Sequence, residues 1–142
     1  MLIGTILRAK GGDVATVTPE ATVHELLATL AERNIGAVVV STDGVTIEGI
    51  VSERDVVRRL HDRGSAILEG PVSAIMTTEV HTVGPGDNVE ALRGIMTTQR
   101  FRHMPVVEQG RLVGIVSIGD VVKSAIEELE TEKASLVDYL HR

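Results

Sequence analysis

Gly49-Ile50-Val51-Ser52-Glu53-Arg54-Asp55 returns later in the chain as Gly114-Ile115-Val116-Ser117-Ile118-Gly119-Asp120. The match continues on both sides. Downstream, Asp55-Val56-Val57 falls on Asp120-Val121-Val122 at the same shift of 65 positions, 49 to 114. Upstream, before a turn that differs by one residue, the shift is 66, 14 to 80. Val14, Thr16, Val17, Pro19, Val23, Leu26 and Val40 then fall on Val80, Thr82, Val83, Pro85, Val89, Leu92 and Val106, and Gly44 falls on Gly110. A self-match that keeps its order over a whole unit decides architecture before any residue-level reading. Two copies of this length are too few and too long for a solenoid. They predict a pseudo-twofold pair.

Each copy reads as β-α-β-β-α. Ala15-Thr16-Val17 is a short strand that ends at Pro19. Thr22 with Glu25 forms a capping box, and Val23, Leu26, Leu27 and Leu30 recur at helical spacing to make one apolar face. Ala37 to Val40 is a continuous apolar run of the buried-strand kind, Asp43-Gly44 supplies a tight turn, and Gly49-Ile50-Val51 returns. A second helix begins near Ser52 and carries Val56, Val57 and Leu60. In the second copy Asn88 caps the first helix, Met104 to Val107 is the first hairpin strand, and Gln109-Gly110 is the turn. The predicted boundaries are 1–64 for the first repeat, 65–124 for the second and 125–142 for a helical extension. The second copy's last helix runs on after Asp120 into this extension, and Val122, Ile126, Leu129, Leu136 and Leu140 give it an apolar stripe interrupted at Lys133. A smaller echo precedes each copy, Ile3-Gly4-Thr5-Ile6-Leu7 against Val72-Ser73-Ala74-Ile75-Met76.

Composition narrows the function. Aromatic residues are 1 % of the chain against 43 % hydrophobic, so the core is aliphatic and ring stacking is not a general means of holding bases. A formal net charge of -6 repels phosphodiester backbones, although a local basic patch can still take a small anion. With no cysteine, disulfides, thiol catalysis and cysteine-bound zinc are excluded, and a cytoplasmic location is the expectation. Met1 to Arg8 is too short for a signal-peptide core, and no stretch approaches a membrane span. His24, His61, His81, His103 and His141 show no ligand spacing, so no metal site is expected. No Walker loop or G-x-G-x-x-G occurs, and Ile115 stands where a nucleophile elbow needs glycine, so no catalytic residue is expected.

The doubled Gly-Ile-Val-Ser-x-x-Asp phrase, Phe101-Arg102-His103-Met104-Pro105-Val106, and Thr77-Thr78-Glu79-Val80 after Ile75-Met76 together resemble the CBS (cystathionine β-synthase) domain family over about Ile3 to Val122. The resemblance implies an α/β (α+β) fold of two repeats packed sheet to sheet, with two clefts between them. It implies a regulatory ligand there: AMP, ADP, ATP, S-adenosylmethionine or NAD(H). It is nearest to short free-standing bacterial signal-transduction members of the family.

Ser52 with Asp55, and Ser117 with Asp120, lie three apart at strand-to-helix junctions. A helix N-terminus suits a phosphate, a serine hydroxyl can add a hydrogen bond, and a carboxylate suits the two hydroxyls of a ribose. The same spacing is also a plain capping box, and both readings stand at this point. Adenine would be read by backbone around Gly36, Ala37 and Val38, by Arg102, His103 and Met104, and by Thr16 or Thr82 at the β entry. Arg54, Arg102 and His103 are the candidate phosphate partners.

The expectation is therefore a non-enzymatic adenine-nucleotide sensor, homodimeric, acting on an unknown downstream protein. The alternatives are an interaction scaffold with vestigial clefts and, against the charge, a nucleic-acid-binding accessory. The clefts are expected to differ. Gly36-Ala37 and Arg54 are assigned to a copy-one cleft that prefers ADP, ATP or NAD(H). Arg102, His103 and Gly119 are assigned to a copy-two cleft that prefers a compact monophosphate such as AMP.

Overall fold

A computed structural model describes residues 1–141; Arg142, the last residue of the expected extension, lies outside them. Helix α1 (Ile3–Lys10) leads into β1 (Thr16–Val17), α2 (Val23–Arg33), β2 (Ala37–Val40), β3 (Gly49–Ser52) and α3 (Glu53–Arg63). Two short 3₁₀ turns, Ser65–Glu69 and Val72–Ala74, connect to α4 (Val89–Gln99), β4 (His103–Glu108), β5 (Arg111–Ser117) and α5 (Ile118–Leu140). No helix of the described residues is long and apolar enough to cross a membrane.

The repeats are related as predicted, but not identically built. In the first, β1 pairs parallel with β2 and β2 antiparallel with β3, Val38 opposite Val51. In the second, β4 and β5 pair antiparallel, Met104 opposite Val116, and the entry strand shrinks to one parallel bridge between Val83 and Val106. Thr22, Ser52 and Ser117 each close a reciprocal capping box, and Asn88 accepts from the Glu90 N–H. Gln109 and Gly110 both have positive φ, 52° and 76°, as a two-residue hairpin turn with matched twist requires.

Two local expectations are corrected. Asp43-Gly44 is not a tight two-residue turn. The Asp43 carboxylate accepts from the Val45 and Thr46 N–H groups at 2.8 and 2.7 Å, and these bonds organise a longer loop between Val40 and Gly49 while holding the carboxyl far below the usual range. Val57 is 66 % exposed, because α3 faces the core with Val56 and turns the next position to the surface.

The largest departure concerns the lead segments. Val72 and Ile75, which precede the second copy, complete the core of the first, beside Val23, Leu26, Val38, Val51 and Val56. Ile3 and Ile6, expected with repeat one, complete the core of the second, beside Leu92, Met104, Val106, Val116 and Val121. Matching backbone bonds hold both straps. Val72 N–H donates to Ala21 O at 2.7 Å and Ser73 N–H to Pro19 O at 3.0 Å; Ile3 N–H donates to Asp87 O at 2.9 Å and Gly4 N–H to Pro85 O at 2.8 Å. The echo in sequence is thus a pair of equivalent straps.

Each strap needs a glycine on the opposing strand. A Cβ at Gly49 would sit 2.7 Å from Met76 Sδ and 2.9 Å from Thr77 O; one at Gly114 would sit 2.5 Å from Leu7 Cδ2. Gly49→Ala strikes backbone and is expected to cost about 1–3 kcal/mol. Gly114→Ala strikes only a flexible side-chain end, so its cost should be smaller and partly recovered in Leu7→Ala/Gly114→Ala. Urea midpoints of the three variants check the order; equal costs at both glycines would refute the strap contacts.

Candidate functional site

Two clefts open between the copies, and each combines the helix start of one copy with loops of the other. The first, about 440 Å³, has Ile50, Ser52 and Asp55 at the β3–α3 junction. Opposite lie the second copy's lead-in, Thr77 to His81, and its α4–β4 turn, Gln99 to Pro105. The second, about 560 Å³, has Ile115, Ser117 and Asp120 at the β5–α5 junction, facing Lys10, Asp13 and Ala15 and the α2–β2 turn, Arg33 to Ala37. Both volumes fall in the range of small-ligand pockets. Gly36, Ala37 and His103 line both clefts and form the wall between them.

The serine–aspartate pairs are capping boxes. Asp55 Oδ2 accepts from Ser52 N–H at 2.8 Å and Ser52 Oγ at 3.0 Å, while Ser52 Oγ accepts from Asp55 N–H at 3.3 Å. In the second copy Ser117 N–H donates to Asp120 Oδ2 at 2.9 Å and Ser117 Oγ accepts from Asp120 N–H at 3.1 Å. The Ser52 hydroxyl proton is therefore committed inside its own box rather than turned to a ligand. These bonds all fall on Oδ2, so among the described residues Oδ1 of each aspartate has no protein partner and can accept a hydroxyl.

The electrostatics separate the clefts. Arg54, Arg58, Arg100 and Arg102 all line the Asp55 cleft, and none has an ion pair among the described residues. Glu53, Asp55 and Glu79 are the acidic groups there. In the Asp120 cleft, Lys10 Nζ lies 2.7 Å from Asp120 Oδ2 and donates to Ile115 O at 2.8 Å. Burial raises the Asp120 carboxyl, but Lys10 and the Ser117 N–H outweigh it and hold the pKa below its ordinary value. Burial, reinforced by Lys10, lowers the His103 pKa, so its imidazole is neutral at neutral pH and acts as a hydrogen-bonding group rather than a cation.

The expected site residues divide accordingly. Gly36, Ala37, Ser52, Arg54, Asp55, Arg102, His103 and Met104 come together around the Asp55 cleft, and Ser117 and Asp120 around the other. Val38 is in the first core, and Thr16, Thr82 and Gly119 line neither cleft. The assignment of Arg102 to the copy-two cleft is corrected. Its backbone O accepts from Ile118 N–H at 2.8 Å, but the residue lines the Asp55 cleft and not the Asp120 cleft.

Sequence reasoning missed Lys10, Arg33, Arg58, Arg100, Phe101 and His81. Phe101, the one phenylalanine of the chain, has its ring centroid 4.9 Å from that of His81, so the Asp55 cleft does have an aromatic wall. The repeat offered a signal for the turn residues, since Arg33 to Ala37 and Gln99 to His103 occupy equivalent positions. Lys10 gave none, because its partner is 110 residues away.

The described residues contain no cluster of three or more His, Asp or Glu suited to a metal ion. A profile of the CBS domain matches the chain twice, at residues 7–62 and 72–127. The mitochondrial CBS domain-containing protein CBSX3 of Arabidopsis thaliana is 33% identical over 97% of this chain and 71% of its own length. The solved CBS-domain containing protein ATU1752 of Agrobacterium tumefaciens is 44% identical with a TM-score of 0.84, covering 88% of this chain and 99% of that one. The structure of CBSX2 in complex with AMP is 26% identical with a TM-score of 0.74, covering 89% and 96%.

Two variants probe this geometry. Lys10→Met should cost about 0.5–1 kcal/mol near neutral pH, as for a partly exposed ion pair. The folded Asp120 carboxyl is depressed, so its contribution is present above the unfolded pKa and is lost as the pH falls through the folded one. The difference between wild type and Lys10→Met should therefore close in acid; a pH-independent gap in chemical-denaturation midpoints would contradict it. Arg100 is held at φ 60°, at the position where the first copy has Asn34 at φ 53°. Arg100→Asn should raise stability by a few tenths of a kcal/mol, since asparagine tolerates that conformation better, while weakening binding of an anionic ligand.

Proposed function

The chain belongs to the CBS-domain family, with two domains in tandem, and on that premise we propose that it is a regulatory module whose clefts bind adenine nucleotides. The observation that carries the reading is the Asp55 cleft: among the described residues, a carboxylate oxygen without a hydrogen-bond partner, an aromatic wall, and four arginines without an ion pair around one 440 Å³ space. Unpaired guanidiniums on a net-acidic protein are suited to phosphate, and the carboxylate to ribose hydroxyls. The AMP complex of CBSX2 supports the ligand class.

The charge distribution ranks the ligands. The Asp55 cleft fits a di- or triphosphate, or NAD(H), because several guanidiniums can share an extended anion. In the Asp120 cleft a ribose meets Lys10 already on the carboxylate, and among the described residues only Lys10 and Arg33 supply positive charge there. That cleft suits a compact ligand such as AMP. The order matches the sequence expectation, but on the opposite placement of Arg102. A nucleotide touching both copies favours the arrangement that lets it do so, and the module would signal by that shift in population to a downstream protein, without chemistry of its own. The cytoplasm is the compartment proposed with this reading.

Calorimetry of ATP and AMP tests it. Asp55→Ala should weaken ATP by about 1.5–3 kcal/mol, the range for hydrogen bonds to a charged group. Arg102→Ala should weaken ATP more than AMP, and Asp120→Ala should chiefly affect AMP. Failure of the wild type to bind any adenine nucleotide would favour the scaffold reading; equal losses for both ligands in every variant would refute the division of labour.

A further inference from the structure

Helix α5 runs for 23 residues, but the body covers only its first part and only one side. Val121 and Ser124 are buried, Ala125 and Glu128 half-buried, and residues 129–141 are exposed on every side. On the side away from the body, Val122, Ile126, Leu129, Lys133, Leu136 and Leu140 follow one another at spacings of 4, 3, 4, 3 and 4. The apolar members are between 51% and 69% exposed. A strict 3-4 alternation is narrower than the apolar face of a helix lying on a globular core, and it is the seam of a coiled coil. A free-standing helix of about 12 residues is marginal in water, so the exposed half of α5 gains its stability from a partner.

The seam names its own partner. Ile126, Lys133 and Leu140 take the a positions; Val122, Leu129 and Leu136 take the d positions. Ile126 at a, Leu129 and Leu136 at d and the single Lys133 at a are the choices that favour two parallel strands in one register; Val122 and Leu140, at the two ends, depart from that rule. In that register each Lys133 side chain lies beside Glu132 of the other helix, at the adjoining g position. Neither residue has an ion pair among the described residues. An antiparallel pair would instead set Glu130 against its own copy on one flank and Glu132 against its own copy on the other. We propose that α5 joins two copies of this chain through a parallel, in-register two-stranded coiled coil over Val122 to Leu140. The seam is about 27 Å long at 1.5 Å per residue. The two bodies then sit on opposite outer faces of its first turns, held by Val121 and Ser124 and clear of the seam. The inference is independent of what the clefts bind.

The absence of native cysteine makes the test direct. In full-length protein under mild oxidation, Leu136→Cys should form disulfide-linked dimers, because a d position meets its own copy in a parallel pair. Ser135→Cys, one position round the helix, should link at least about ten-fold more slowly, since its Cα is beyond disulfide reach. Sedimentation should show that Lys133→Glu weakens the dimer by about ten-fold or more, and that Glu132→Lys/Lys133→Glu restores it. A monomeric wild type, linking only in a mixture of Ile126→Cys and Leu136→Cys chains, equal linking at 135 and 136, or no response to Lys133→Glu would each overturn the proposal. Far-UV circular dichroism of every variant verifies that the body remains folded.

Discussion

Leu7 against Gly114 and Met76 against Gly49 are the contacts on which the rest of the structure depends. Each repeat is too small to close an apolar core with its own strands and helices. The segment that precedes one copy crosses over and covers the core of the other, and glycine on the receiving strand lets it approach closely. Ile3, Ile6, Val72 and Ile75 are all below 9% exposed, so the straps are core and not linker. The crossing makes the pair a single folding object: neither copy has a complete core without a segment from outside its own β-α-β-β-α unit.

The same crossing builds the clefts. A strap that passes to the other copy brings its end to that copy's helix start, which is why Lys10, at the end of α1, reaches Asp120. The lead-in that follows the second strap, Thr77 to His81, lines the cleft of Asp55 in the corresponding way. The frame of both sites is thus common: a capped helix N-terminus, an aspartate with one carboxylate oxygen left over, and an α–β turn from the opposite copy. The residues mounted on the frame differ. Where the first copy's turn has Gly36 and Ala37, the second has Arg102 and His103; Arg102 lines the cleft of Asp55 rather than that of the aspartate of its own repeat, and His103 stands between the two. Small residues in one turn and arginines in the other give one cationic cleft and one in which the local lysine already neutralises the carboxylate.

His103 and Gly36 stand in the partition between the clefts, and a Cβ on Gly36 would meet His103 Cε1 at 3.4 Å. The two clefts therefore share Gly36, Ala37 and His103 as common lining. Helix α5 starts at Ser117 in the wall of the Asp120 cleft and extends beyond the body. A continuous helix is the stiffest element the chain has for carrying a change in that wall outward.

The internal repeat, the strand and helix order and the three capping boxes were legible in the sequence because each rests on local chemistry: side-chain period, turn residues, and a serine or threonine three positions before a carboxylate. Asp55 and Asp120 could be singled out for the same reason. Local pattern could not say which turn faces which aspartate. Arg102 is 15 residues from Ser117 and 50 from Ser52 in the chain, yet it lines the latter's cleft, because the crossing places each turn against the opposite repeat. Nor could it show that the echo at Ile3 and Val72 exchanges cores, that Lys10 meets Asp120, or that the Phe101 and His81 rings meet in a chain with almost no aromatic residues. Sequence alone determined the two units and their caps. The pairing of the units, and with it the charge of each cleft, was decided only by tertiary packing, since contacts between distant residues leave no mark on local periodicity.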